Sequence, residues 1–60
     1  MNKKLYKGFM IDNYLIEVFR LIGINAYQIN VNGNFYCTVD NLRELEEDLE
    51  IIKKSIDKLK

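Results

Sequence analysis

From Asp40 to Lys60 the apolar positions are Leu42, Leu45, Leu49, Ile52, Ile56 and Leu59. Their spacing alternates three and four residues, which puts all six on one stripe of an α-helix. Asp40 suits the N-cap, where a carboxylate accepts a backbone N–H. Glu44, Glu46, Glu47, Asp48 and Glu50 fill the first half, and Lys53, Lys54, Lys58 and Lys60 fill the second. That order complements the helix macrodipole. Glu50 and Lys54 add a favourable i,i+4 pair.

The period changes before this helix. Tyr27, Ile29 and Val31 alternate with polar residues, then Asn32-Gly33-Asn34 intervenes, and Phe35, Cys37 and Val39 alternate in turn. Alternation on both sides of Asn-Gly predicts a β-hairpin. Two registers compete. A two-residue Asn32-Gly33 turn pairs Val31 with Asn34, as turn chemistry prefers. A three-residue loop pairs Val31 with Phe35 and gathers Tyr27, Ile29, Val31, Phe35, Cys37 and Val39 on one face. Burial favours the second, since a slip of one residue turns every side chain over.

From Asp12 to Ile22 the pattern fits a shorter helix. Leu15, Val18, Phe19 and Ile22 follow the i, i+3, i+4, i+7 template. Asp12 would be its N-cap, Ile11 and Ile16 a hydrophobic staple, and Gly23 with Ile24 its stop. A strand competes here, because Tyr14, Ile16 and Val18 also alternate. Upstream, Leu5, Phe9 and Ile11 suit one face of a short edge strand within residues 4–11, and Gly8 weakens any helix there. The expected fold is a single α+β domain over residues 1–60. A β-hairpin, with an optional third strand, packs against a short N-terminal helix and a long C-terminal helix, in the order (β)αββα.

Composition narrows the function more than it names it. The chain has 60 residues, and a core of that size supplies only about 3–5 kcal/mol of net stability. Chains this small usually add disulfides, a metal or self-association. The single cysteine, Cys37, forbids an intrachain disulfide, and there is no histidine for a zinc site. No D-x-D-x-D-G loop suits calcium. Self-association or unusually good packing remains, and the helix stripe offers a seam for the first. Written as a heptad, Leu42, Leu49 and Ile56 take position a, and Leu45, Ile52 and Leu59 take d. The same six residues would otherwise cover the hairpin as core.

Nine basic residues balance nine acidic ones, so the net charge is zero, which weighs against a dedicated nucleic-acid or membrane-surface protein. The basic start is followed by an apolar stretch that Asp12 and Glu17 interrupt, so no signal peptide is expected. With the lone thiol, this points to a reducing cytoplasm. No apolar run reaches the roughly 18–20 residues of a membrane span. Enzyme readings fail on inventory: there is no histidine, no phosphate loop, no dinucleotide fingerprint and no nucleophile elbow. No cofactor, metal or small-molecule substrate is expected, and Cys37 reads as a small hydrophobe.

The chain is rich in Asn, Ile and Lys, starts at Met1 and has short α+β patterning. In this it resembles the short proteins of AT-rich Gram-positive bacteria and their phages, some of which inhibit host enzymes. That resemblance implies an inhibitor or regulator of a host protein and transfers no residue roles. The expectation is therefore a non-catalytic protein-interaction module, a homodimer. Its partner contacts would come from Glu44, Glu46, Glu47, Asp48 and Glu50 together with Tyr27 and Tyr36. A different class, nucleic-acid binding, would use the lysine-rich termini, where Lys3, Lys4 and Lys7 lie near Tyr6 and Phe9. A purely structural assembly subunit is a third reading.

Overall fold

A computed structural model describes residues 2–59. Lys60, at the end of the second lysine group, lies outside them. Four strands precede one helix: β1 (Lys3–Ile11), β2 (Tyr14–Leu21), β3 (Ala26–Val31), β4 (Asn34–Val39) and α1 (Leu42–Lys58). The strands form one antiparallel sheet in chain order, β1-β2-β3-β4. The order is ββββα. The expected N-terminal helix, and with it (β)αββα, is overturned.

The physical reason lies in residues 12–21. Tyr14, Ile16, Val18 and Phe19 are aromatic or β-branched, which favours a pleated strand over a helix. Asp12 is not an N-cap. It takes a left-handed φ of 54° in the tight turn that pairs Ile11 with Tyr14. Gly23 does not end a helix either. It sits at φ 95° in the connection from β2 to β3.

Both hairpin registers are present in one ladder. At the turn Val31 pairs with Asn34, and Asn32 and Gly33 adopt φ 53° and 81°, the two positive values a type I′ turn needs. Then Tyr36 is left without a partner as a β-bulge, and Ile29 pairs with Cys37 and Tyr27 with Val39. The bulge lets the turn take its preferred residues and still puts Cys37 and Val39 toward the core. Phe35 is the exception. It pairs with Asn30 and lies on the opposite face, 65% exposed, so the core role expected for it is lost. A second bulge, at Tyr6, shifts β1 in the same way. Phe9 and Ile11 pack against the core, while Leu5 pairs with Phe19 on the other face.

α1 covers one face. It starts just after β4 and crosses the sheet. Asp48 lies against β4, Glu46, Leu49, Glu50 and Lys53 lie on the side of β1, and Ile56 and Leu59 lie at the β1–β2 turn. Its N-cap is Asn41, one residue later than expected. Asn41 Oδ1 accepts from Glu44 N–H at 2.9 Å, and Glu44 Oε1 accepts from Asp40 N–H at 3.2 Å. This is close to a capping box. The buried cluster is Ile16, Val18, Ile29, Val39, Leu45, Ile52 and Ile56, with Phe9, Ile11, Tyr14, Tyr27, Val31, Cys37 and Leu49 at its margin.

Candidate interaction surface

A strand sends alternate side chains to opposite faces, and cross-strand partners share a face. The face away from α1 can therefore be read from the register. It carries Lys3, Leu5, Gly8 and Met10 from β1, and Leu15, Glu17, Phe19 and Leu21 from β2. Ala26, Gln28 and Asn30 come from β3, and Phe35 and Thr38 from β4. No element of the described residues packs over it.

An antiparallel sheet with one open face ordinarily alternates apolar inward and polar outward. This one does not. Leu5 is 54% exposed, Met10 58% and Phe35 65%, and Leu15 is exposed as well. Phe19 is half-buried, with Lys3 Nζ 4.5 Å from its ring centroid, a cation–π contact. Leu21 and Ala26 pair at one end and are buried outside the helix-covered cluster. Polar groups occupy the middle: Glu17, half-buried, and Asn30, whose Oδ1 accepts from Gln28 Nε2 at 2.9 Å. Opposite Glu17 stands Gly8, which leaves β1 without a side chain there. The arrangement offers apolar area and shape. Among the described residues no three His, Cys, Asp or Glu side chains are grouped to hold a metal ion.

No protein-family model matches the chain, and no curated protein and no solved structure matches it.

The residues singled out by sequence fall into separate places. Of the helix stripe, Leu45, Ile52 and Ile56 are buried against the sheet and Leu49 is half-buried. Leu42 and Leu59 remain exposed, at 49% and 71%. The acidic five do not act as one patch. Glu44 caps α1, and Glu47 lies 3.7 Å from Arg43 Nε in an exposed ion pair. Asp48 turns to β4, where its Oδ2 accepts from Cys37 Sγ at 3.5 Å. Glu46 and Glu50 face β1 across a groove. Tyr27 stacks edge-on against Tyr6, with ring centroids 5.4 Å apart, and Tyr36 is exposed at its bulge.

Helical patterning over residues 12–22 does not bring Leu5, Met10, Leu15 and Phe19 together as a group. Their signal is present in β2, where Tyr14 to Ile22 is apolar at nearly every position, interrupted by Glu17 and Arg20. A short near-continuous apolar run between turn residues marks a strand that buries both faces. No helix among the described residues is long and apolar enough to cross a membrane.

Proposed function

We propose that the protein is a non-catalytic protein-interaction module that pairs with a second copy through the open face of its sheet. The observation that carries this is the set of large apolar side chains, Leu5, Met10, Leu15, Phe19 and Phe35, on a face that no element of the described residues covers. Exposed apolar patches of several hundred Å² mark contact sites. Four strands of this length at about 4.8 Å spacing give the face roughly 500 Å². Two copies would then bury about 1,000 Å², near the lower bound for a specific interface. The charges suit a self-complementary contact, with one cation, Lys3, and one anion, Glu17, among the described residues of the face. Packing two sheets about 10 Å apart would also supply the missing second layer of a small, unstapled core.

In such a pair α1 and Tyr36 stay outside, available to another protein. The likeness in composition to short phage proteins supports an inhibitor or regulator that acts by occupying a host protein's surface. The test is sedimentation equilibrium across about 1–100 µM. The wild type should be dimeric at the upper end, and Leu15→Lys with Phe35→Lys should be monomeric throughout with an unchanged far-UV spectrum. A wild type that stays monomeric at about 100 µM ends the proposal.

One juxtaposition favours a second reading, nucleic-acid binding. Lys4 and Arg20 are cross-strand partners, Arg20 pairs in turn with Tyr27, and Tyr27 meets Tyr6. Cations beside aromatic rings, Tyr6 exposed and Tyr27 half-buried, suit a single strand, its phosphates on the cations and its bases on the rings. The expected result is retardation of single-stranded DNA or RNA at about 20 mM salt, falling at least about tenfold by 200 mM, and lost in Lys4→Glu with Arg20→Glu. Absence of retardation at the low salt removes this reading.

A further inference from the structure

Both outer strands of the sheet are edges, and edges with free backbone groups recruit other strands unless blunted. On β1 the blunting devices are crowded into the first half: Lys3, Lys4, Lys7 and the bulge at Tyr6. Residues 8–11, Gly-Phe-Met-Ile, have neither a charge nor a bulge. In an antiparallel edge strand, alternate residues there aim N–H and C=O groups away from β2.

Beside this stretch a groove of about 560 Å³ opens between β1 and α1. That volume lies within the roughly 300–1,000 Å³ of ligand-sized clefts. Phe9, Ile11 and Leu49 are half-buried along it, and Met10 is exposed at its rim. Its helix side carries Glu46 and Glu50, one turn apart, with Lys53 beyond. Neither carboxylate has a hydrogen-bond or ion-pair partner among the described residues, so the Glu50–Lys54 pair expected from the sequence does not form.

We propose that residues 8–11 of β1 are a strand-addition site for an extended basic and apolar segment of another protein. The incoming strand takes main-chain hydrogen bonds from the β1 edge. Its side chains alternate, so every second one enters the groove. One of these is a large aliphatic group against Phe9, Ile11 and Leu49. The next, two residues along, is a Lys or Arg between Glu46 and Glu50. The sign of the partner follows from the lip, where two unpaired carboxylates outnumber the single Lys53. The Lys residues of the first half set where the added strand must stop.

Two fluorescein-labelled nine-residue peptides test this by anisotropy. Both have threonines at odd positions. One alternates Ile and Lys at the even positions, and the other alternates Ile and Glu. The wild type should bind the Ile/Lys peptide at tens of micromolar and the Ile/Glu peptide at least about tenfold more weakly. Glu46→Lys with Glu50→Lys, both on the exposed side of α1, should reverse that order. No binding up to about 1 mM, equal binding of the two peptides, or an order unaltered by the charge swap would each overturn the proposal.

Discussion

Leu45→Ala is expected to remove most of the protein's net stability at 25 °C, while Leu59→Ala is expected to leave it unchanged. The two leucines belong to the same stripe in sequence, and their surroundings are opposite. Leu45 is 1% exposed and sits in the cluster with Ile16, Val18, Ile29 and Val39. Truncating a buried leucine costs about 2–5 kcal/mol, the lost transfer energy plus the cavity left behind. A core of this size holds only about 3–5 kcal/mol in all. Leu59 lies at the C-cap with 71% of its surface in water, so its truncation falls within about 0.5 kcal/mol. Leu42, at the first turn of α1, should behave like Leu59. Urea titration followed by circular dichroism reads all three. Were the six residues instead the seam of a coiled coil, Leu42 and Leu59 would occupy a and d positions and cost as much as Leu45. Equal losses at the three positions would therefore remove the packing described for α1.

The same contrast shows which parts of the fold are written locally. α1 and the Asn32-Gly33 turn depend on residues a few positions apart, and both are legible. The stripe, the acidic-to-basic order and the left-handed pair at the turn each follow from short-range rules. Residues 12–22 satisfy two periods at once, so local pattern favours a helix where β2 forms. Leu15, Val18 and Phe19 share a helical face, yet in the strand Val18 points into the core and the other two point away. Choosing the helix merged two faces into one and hid the open surface. What decides between the periods is the pairing of β2 on both sides, with β1 and with β3, which no window of residues contains.

The bulges show a subtler limit. Turn chemistry and burial demanded different registers for the hairpin, and the conflict was visible in the sequence. One extra residue at Tyr36 satisfies both. Tyr6 does the same for β1, where Lys4 and Leu5 keep one register with β2 and Phe9 and Ile11 keep the other. Both bulges sit on the edge strands, where they also discourage indiscriminate pairing. This makes the bulge-free stretch at residues 8–11 informative. Where an edge is blunted in one half and left smooth beside an apolar groove in the other, the smooth half is the part suited to a partner.

Iodoacetamide at pH 8 is expected to modify Cys37 roughly a hundredfold more slowly in the folded protein than in the unfolded chain. Cys37 pairs with Ile29 on the side of β4 that faces α1. Burial, then the hydrogen bond to Asp48, then the charge of that carboxylate push its pKa up from 9.0 to about 11. The reactive species is the thiolate, and a rise of that size lowers its population at pH 8 about a hundredfold. Asp48→Asn removes the charge and leaves the burial, so the rate should recover in part. The sign for stability follows from linkage. The pKa is higher in the fold than in the unfolded chain, so the fold favours the protonated thiol. Its contribution is fully present below pH 9.0 and is lost as pH rises through about 11. Urea midpoints should accordingly fall across that window in the wild type and fall less in Cys37→Ala. Equal alkylation rates in the folded and unfolded chain would place the thiol in water, and α1 would then not lie over β4 as described.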